Sequence, residues 1–224
     1  MAKFKIYLSA SNQEENKGVG SYGSERDQMF RLRDKVRNLL KADFIIEAND
    51  SKTSSLSAIV KESNAFKPHI HMAFHTNAGS KKARGCEVFY YGNTKAGGFK
   101  MATLWYKHIS AVTPTEDRGV KSDFTLYKNG LYELRETKAS ACLMEFIFHS
   151  NLEDVTFFLN NIDRFAEATR NAVYEYFGMK KDTVIYPKWL RAQKLVKNEY
   201  SKNDTFTVDQ IDTIFQRFYE KYIK

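Results

Sequence analysis

The sequence contains few of the features that mark stapled, low-complexity or membrane-spanning proteins. Its 224 residues include only three prolines, eleven glycines and two cysteines. Cys86 and Cys142 lie inside apolar, strand-like runs, so we expect buried thiols instead of a disulfide or a nucleophile. No stretch approaches the roughly 18 apolar residues of a membrane span. The start, MAKFKIYLSAS, has too short an apolar run for a secretory signal. We therefore expect a globular chain, made in the cytoplasm, that does not insert into membranes.

Positive charge is in excess, with 35 Lys and Arg residues against 27 Asp and Glu residues and a net charge of +8. This balance predicts an acidic partner, which could be nucleic acid, anionic lipid or an acidic cell-wall polymer. The basic residues are scattered through the predicted helices, and no zinc-finger, helix-turn-helix or RNA-binding signature accompanies them. We therefore do not expect nucleic acid to be the partner.

Strand-like and helix-like segments alternate along most of the chain, which predicts an α/β fold. We expect a mixed, largely parallel central sheet of about six strands with helices on both faces. The segment LYKNGLYELR is interpreted as part of a loop region. The predicted strands are 3–9, 43–48, 69–75, 85–91 and 141–148, and the predicted helices are 24–42, 55–66, 98–113 and 151–177.

The character of the sequence changes after Gly178. Residues 1–178 carry the α/β pattern and are predicted to form the catalytic domain. Residues 179–224 are basic and end in an amphipathic helix, capped by Thr207, with an apolar stripe from Val208 to Tyr222. We interpret this part as a small helical appendage for wall binding or self-association.

Three polar residues stand where ligands usually bind in such sheets, at strand ends and helix starts. Glu25 begins the first predicted helix, His75 ends a strand before the loop TNAGS, and Glu145 lies inside the apolar strand ACLMEFIF. The first two could simply be a helix-start acid and a capping or core histidine. An acid in an apolar strand, however, is seldom buried unless it is paired or functional.

These residues together suit a catalytic zinc site, which needs about three protein ligands and an open position for water. Glu25, His75 and one residue of the loop 13–16 could supply the ligands, leaving Glu145 as the base. Burial in an apolar strand would raise the pKa of Glu145 towards neutrality. His71 lies about 13 Å along the strand from His75, so these two cannot share an ion; we interpret His69 and His71 as structural.

Four stretches in order carry a family resemblance that covers about residues 3 to 178. They are IYLSASNQEENKGVGSYGSERDQM, MAFHTNAGSKKARGCEVFYYG, LYELRETKASACLMEFIFHSNLEDVTFF and NAVYEYFG. The chain resembles the zinc-dependent N-acetylmuramoyl-L-alanine amidases of the type-3 family, in the branch found among phage endolysins and cell-wall hydrolases of low-GC Gram-positive bacteria.

The resemblance implies hydrolysis of the amide between the lactyl group of N-acetylmuramic acid and the first L-alanine of the stem peptide. It implies that Glu25 and His75 bind zinc and that Glu145 is the catalytic glutamate. Arg118 falls in a stretch similar to the family's substrate-side loop and, with Asn77, is assigned to substrate binding. The implied partner is the peptidoglycan of Gram-positive walls.

One position departs from the pattern of this branch. Its members usually read Ser-Pro-Ser-x-Gln-x-His-Asn, and Glu15 stands here in place of the histidine ligand. A carboxylate can bind zinc, but it makes the site less positive and should weaken its Lewis acidity, or favour a harder ion such as manganese. Alternatively, Glu15 is an inactivating change in a fold that only binds the wall.

Two rivals to the amidase hypothesis therefore stay open. One is a catalytically silent homologue that binds peptidoglycan, and the other is a zinc peptidase that shortens the stem peptide. The absence of a visible signal further predicts that the enzyme reaches the wall after release, through a holin or through lysis.

Overall fold

The computed structural model describes residues 3–50, 55–93, 96–114, 117–179, 183–184 and 200–201. The chain divides into two compact units, Met1–Phe177 and Gly178–Lys224. In the second unit, β7 (Thr183–Val184) pairs antiparallel with β8 (Tyr200–Ser201). The amphipathic helix predicted for the end of the chain lies outside the described residues.

Six strands of the first unit form one mixed sheet. Their order across the sheet is β2-β1-β3-β6-β4-β5. The first four are mutually parallel, whereas β4 runs antiparallel to β6 and parallel to β5. The predicted mixed, largely parallel sheet is therefore confirmed. The strands are β1 (Lys5–Ala10), β2 (Ile45–Ala48), β3 (Ile70–Asn77), β4 (Cys86–Tyr90), β5 (Asp117–Ser122) and β6 (Ser140–Phe148).

Five α-helices in the described part of the chain surround this sheet. On β3, Phe74 packs against Trp105 of α3, whereas His71 bonds Ser63 of α2. Since side chains three residues apart on a strand point to opposite faces, α3 and α2 cover different faces of the sheet. No described helix is both long and apolar enough to cross a membrane. The helices are α1 (Glu25–Leu40), α2 (Leu56–Phe66), α3 (Ala96–Ser110), α4 (Tyr132–Glu136) and α5 (Leu152–Tyr176).

An aromatic cluster fills the core between the sheet and the α3–α5 side. The ring of Trp105 lies 5.1 Å from that of Phe74 and 5.6 Å from that of Phe146. Its indole N–H donates to the Thr169 hydroxyl at 2.9 Å, so the one polar atom of this side chain is satisfied. The thiols of Cys86 and Cys142 are free and buried, as expected.

The structure corrects two local predictions in the stretch read as loop. Arg118 lies on a strand, β5, at the edge of the sheet. The segment LYKNGLYELR contains α4, which has only five residues and follows Leu131, an N-cap residue that makes no side-chain capping bond. A single turn shows no helical period, and the missing cap removes the usual start signal, so the sequence pattern could not reveal it.

The ends of the two long helices are set by side-chain caps. The Ser24 side chain accepts from the Asp27 N–H and caps the start of α1. At α5 the Asn151 side chain, and not that of Ser150, accepts the N–H groups of the first turn. The Ser150 hydroxyl instead accepts from the backbone N–H of Gly79 and holds the loop after β3.

Candidate active site

A cavity of about 580 Å³ opens at the carboxyl ends of β1, β3 and β6. This is the edge where the sequence predicted a site, because the ends of parallel strands meet there. Of the predicted residues, four line the cavity: Glu15, His75, Asn77 and Glu145. Its apolar lining includes Leu56, Ile59, Leu126, Tyr127, Leu131 and Tyr132.

Glu25, which is buried, and His75, which lines the cavity, form a pair. His75 ends β3, and its Nδ1 lies 3.0 Å from Oε1 of Glu25, the first residue of α1. The carboxylate also accepts from the Thr76 N–H at 3.3 Å and the Asn16 amide at 2.8 Å. Burial alone would raise the pKa of Glu25, but the bonds from His75 and Asn16 outweigh it and lower this pKa.

A second carboxylate, Glu133 of α4, stands behind His75. Its Oε1 accepts from the Ser9 hydroxyl at 2.5 Å and lies 2.9 Å from His71 Nε2, while its Oε2 lies 3.9 Å from His75 Nε2. Burial would raise the pKa of Glu133, but the bonds from the two histidines lower it well below its usual range. His71 is itself anchored by the Ser63 hydroxyl at 2.9 Å.

The two flanking carboxylates also set the charge of His75. Burial opposes protonation of its ring, yet the nearby Glu133 carboxylate and the bond to Glu25 raise its pKa well above the ordinary value. Sequence reasoning missed Glu133 because its segment was interpreted as loop. The available signal was an acid between Leu131 and Leu134, the same apolar context that singled out Glu145.

Glu145 differs from both of these carboxylates because one of its oxygens lacks a partner. On β6 it pairs laterally with His75 of β3 on one side and with Glu87 of β4 on the other. Its Oε2 is buried without a hydrogen bond. Burial, reinforced by the charges of Glu25 and Glu87 and opposed by that of His75, raises the pKa of Glu145 to about 8. A carboxyl group with this pKa can accept and return a proton near neutral pH.

The two residues assigned to substrate binding meet at Glu87. Asn77 lines the cavity and donates its amide to Glu87 Oε1 at 2.5 Å. Arg118 Nε lies 3.4 Å from Glu87 Oε2, and its guanidinium covers the Phe148 ring at 4.8 Å. Arg118 therefore does not line the cavity itself, but contacts it through Glu87, which is bonded to the lining residue Asn77.

Zinc, which the resemblance implies, has to be tested against the donors that are present. Glu25 and His75 offer a carboxylate oxygen and an imidazole nitrogen 3.0 Å apart, a pairing of donors that zinc accepts. Glu15 lines the same cavity, but it is exposed and makes no hydrogen bond or ion pair within the described part of the chain. Among the described residues, no three His, Cys, Asp or Glu side chains are grouped to hold an ion. Glu25 and His75 thus fit as two ligands of a zinc ion, and a third ligand would come from the rim of the cavity.

The family model for N-acetylmuramoyl-L-alanine amidase matches residues 6–175. This chain belongs to the N-acetylmuramoyl-L-alanine amidase family. Membership confirms the enzyme class predicted from the sequence, and the match spans every strand of the main sheet from Ile6 onward. Among curated protein sequences, none matches this chain significantly.

Solved amidase structures share the fold. An N-acetylmuramoyl-L-alanine amidase from Clostridium difficile 630 aligns with a TM-score of 0.71 at 21% identity, over 80% of this chain and 98% of that one. The catalytic domain of the amidase CwlV from Bacillus (Paenibacillus) polymyxa gives 0.69 at 21%, over 79% and 99%. The catalytic domain of an endolysin that targets Clostridium difficile gives 0.62 at 20%, over 79% and 98%. At these identities the likeness concerns the fold alone.

Proposed function

We propose that this amidase hydrolyses the amide between the lactyl group of N-acetylmuramic acid and the L-alanine of the stem peptide, as a phage endolysin or a bacterial autolysin. The observation that carries the proposal is Glu145, a carboxyl group with an unpartnered buried oxygen and a raised pKa, beside the Glu25–His75 pair at the cavity. Amide hydrolysis needs one group that removes a proton from water and later delivers it to the leaving nitrogen.

In this mechanism the two proton transfers fall to Glu145. Its carboxylate accepts a proton from the attacking water, and the resulting acid delivers that proton to the departing amine of L-alanine. Asn77 and the apolar residues of the cavity hold the substrate while these transfers occur. Because its partners fix its charge, Glu25 does not compete for the proton.

We further propose that Glu25, His75 and Glu15 hold one zinc ion. When bound, zinc supplies Lewis acidity that lowers the pKa of water and polarises the scissile carbonyl. Glu15 lies on the rim of the cavity, so its side chain has to turn inward from its exposed position to complete the set. A carboxylate in this place lowers the charge of the site, which predicts weaker Lewis acidity than histidine gives, or a preference for manganese.

The experiment that tests this proposal uses the chain, Glu15→His and the matched control Glu14→His. Glu14 is the neighbouring exposed acid and is bound to Arg26 instead of bordering the cavity. Metal content by elemental analysis is paired with mass spectrometry of the peptides released from purified Gram-positive walls. We expect bound metal and intact stem peptides beginning with L-alanine, with higher turnover in Glu15→His alone. Shortened stems would instead identify a peptidase.

The exposed, unbonded position of Glu15 also favours a second candidate, a silent homologue that binds peptidoglycan without cutting it. Such a protein would sediment with walls, carry little metal and release no peptide. Recovery of both metal and release in Glu15→His, but not in Glu14→His, would identify this outcome.

A further inference from the structure

A cluster of charged side chains lies next to Glu145 and extends beyond Arg118, the one member already assigned to substrate binding. Its centre is Glu87, which pairs with Glu145 across β4 and β6. Oε1 of Glu87 accepts from Asn77, while its Oε2 contacts both the Lys121 ammonium and the Arg118 guanidinium. Two cations on β5 thus share a single carboxylate oxygen.

The charges of this cluster do not balance. Glu87 is only 6% exposed and its oxygens are already occupied, whereas Arg118 and Lys121 keep 32% and 34% of their side-chain surface exposed. Arg118 Nε is buried and makes no hydrogen bond. One positive charge is therefore left over, and the exposed parts of the Arg118 and Lys121 side chains can present it to an anion from outside. Planar guanidinium groups suit carboxylates.

The position of the cluster limits which part of a substrate can reach it. Neighbouring strands lie about 4.8 Å apart, so β5 stands about 10 Å from β6 and Glu145. An extended peptide covers this distance in about three residues. By contrast, the apolar lining of the cavity is formed by neutral side chains such as Leu56, Leu126, Tyr127 and Tyr132. The substrate has one uncharged flank, the sugar, and one flank that carries carboxylates, the stem peptide.

We propose that Arg118 and Lys121 form a carboxylate-binding subsite that receives the stem peptide and so fixes the direction in which the substrate lies across the sheet. The stem runs from Glu145 over Glu87 towards β5, and the sugar lies over the apolar lining. This subsite deepens the proposed function, since it rests on a stem peptide being the leaving half of the substrate.

A purely structural role for the cluster makes a different prediction. If the two cations served only to neutralise Glu87, removing the charge of Glu87 would leave peptide affinity unchanged. In a carboxylate subsite, Glu87 competes with the ligand for the same two cations. Its removal then strengthens peptide binding, while removal of Lys121 weakens it. The two roles thus differ in the response to Glu87→Gln.

The test is calorimetric titration of the full chain at low salt with two synthetic peptides. One is a stem tripeptide beginning with L-alanine and carrying free carboxylates, and the other is the same tripeptide with every carboxylate amidated. The variants are Lys121→Met, Glu87→Gln, their combination, and the control Lys128→Met, which removes an exposed lysine beside Tyr127. Both peptides keep the same free amine, so only the carboxylates differ.

For the charged tripeptide we expect affinity to follow the net charge of the cluster. Lys121→Met should weaken binding about 5-fold, Glu87→Gln should strengthen it about 5-fold, and the combination should return it close to the parent. Lys128→Met should change it less than 2-fold, and the amidated tripeptide should bind every variant alike.

Two outcomes would overturn the subsite. Equal binding of the charged and amidated peptides to the parent chain would remove it, as would weaker binding of the charged peptide to Glu87→Gln. If Lys121→Met fails to fold, the binding of the charged peptide to Glu87→Gln still tests the subsite, because that variant keeps both cations. Charge-dependent binding in a chain that releases no stem peptide from walls would sink the proposed hydrolysis and leave the subsite standing.

Discussion

The two sides of the candidate site treat buried carboxylates in opposite ways. At the end of β3, Glu25 and Glu133 lie against His75, and these contacts lower the pKa of both acids. On the adjacent strand, Glu145 has a buried oxygen without a hydrogen bond, and its pKa rises to about 8. Glu25 and Glu133 are buried and Glu145 is largely so. The presence of partners, more than burial, therefore separates a permanently charged acid from one that can exchange a proton.

Replacing Glu145, which carries the exchangeable proton, should have the largest effect on activity. Glu145→Gln keeps the size of the side chain but cannot accept a proton from water, so release of stem peptides from walls should fall about 1000-fold. Metal content should stay near that of the parent, because the hydrogen bonds that hold Glu25, His75 and Glu133 do not involve Glu145. Activity within 10-fold of the parent would remove Glu145 from the catalytic role.

Replacing Glu133, the carboxylate next to His75, should reduce metal affinity and activity by a smaller factor. Glu133→Gln removes the negative charge behind His75, and the loss of a carboxylate that orients a ligating histidine costs about 10- to 100-fold in metal affinity or activity. Metal affinity measured by competition with a chromophoric chelator checks this. Glu136→Gln, an exposed acid of the same short helix bound to Arg135, is the matched control and should bind metal like the parent.

Unchanged metal affinity in Glu133→Gln would show that Glu133 only supports the fold. A fall in both Glu133→Gln and Glu136→Gln would point to damage to α4 as a whole. In either case, Glu133 would differ from Glu145 only in the direction of its pKa shift and not in an effect on metal binding.

The smallest effect concerns stability and its dependence on pH. In the metal-free chain the folded pKa of Glu145, about 8, lies above the ordinary value of 4.5, so folded protein holds a proton that unfolded protein releases. The charge therefore costs no stability below pH 4.5, an increasing amount as pH rises towards 8, and a constant amount above it. Glu145→Gln should therefore match the parent at pH 4, exceed its stability by about 2 kcal/mol at pH 6, and exceed it further at pH 9.

Urea unfolding of both proteins at pH 4, 6 and 9, in the presence of a chelator, measures this gain. A difference that is the same at all three values would mean that the proton on Glu145 does not couple to folding.

Much of this arrangement is readable from the sequence, for identifiable reasons. Regular elements with clear periods, such as β3 and α1, could be placed because their apolar residues repeat, and with them came His75 and Glu25. Glu145 was visible because charge is rare in an apolar strand.

Other parts depend on contacts that no local pattern encodes. Glu133 sits on a single turn of helix, and its role comes from Ser9 and His71, 124 and 62 residues away along the chain. Arg118 was read as loop because an edge strand of mixed polar residues lacks a two-residue period. That Glu15 completes the ligand set stays a prediction, because its exposed side chain has to rotate into the cavity to reach the ion.

The reversed direction of β4 and β5 has a consequence for how this enzyme can diversify. Glu145 and His75 stand near the ends of their strands, whereas Glu87 and Arg118 are each the second residue of theirs. The proton-transfer group and the proposed recognition group therefore belong to different connections of the chain. Insertions in the segment that enters β4, residues 78–85, would change which stem peptides the subsite accepts while Glu145 keeps its place on β6.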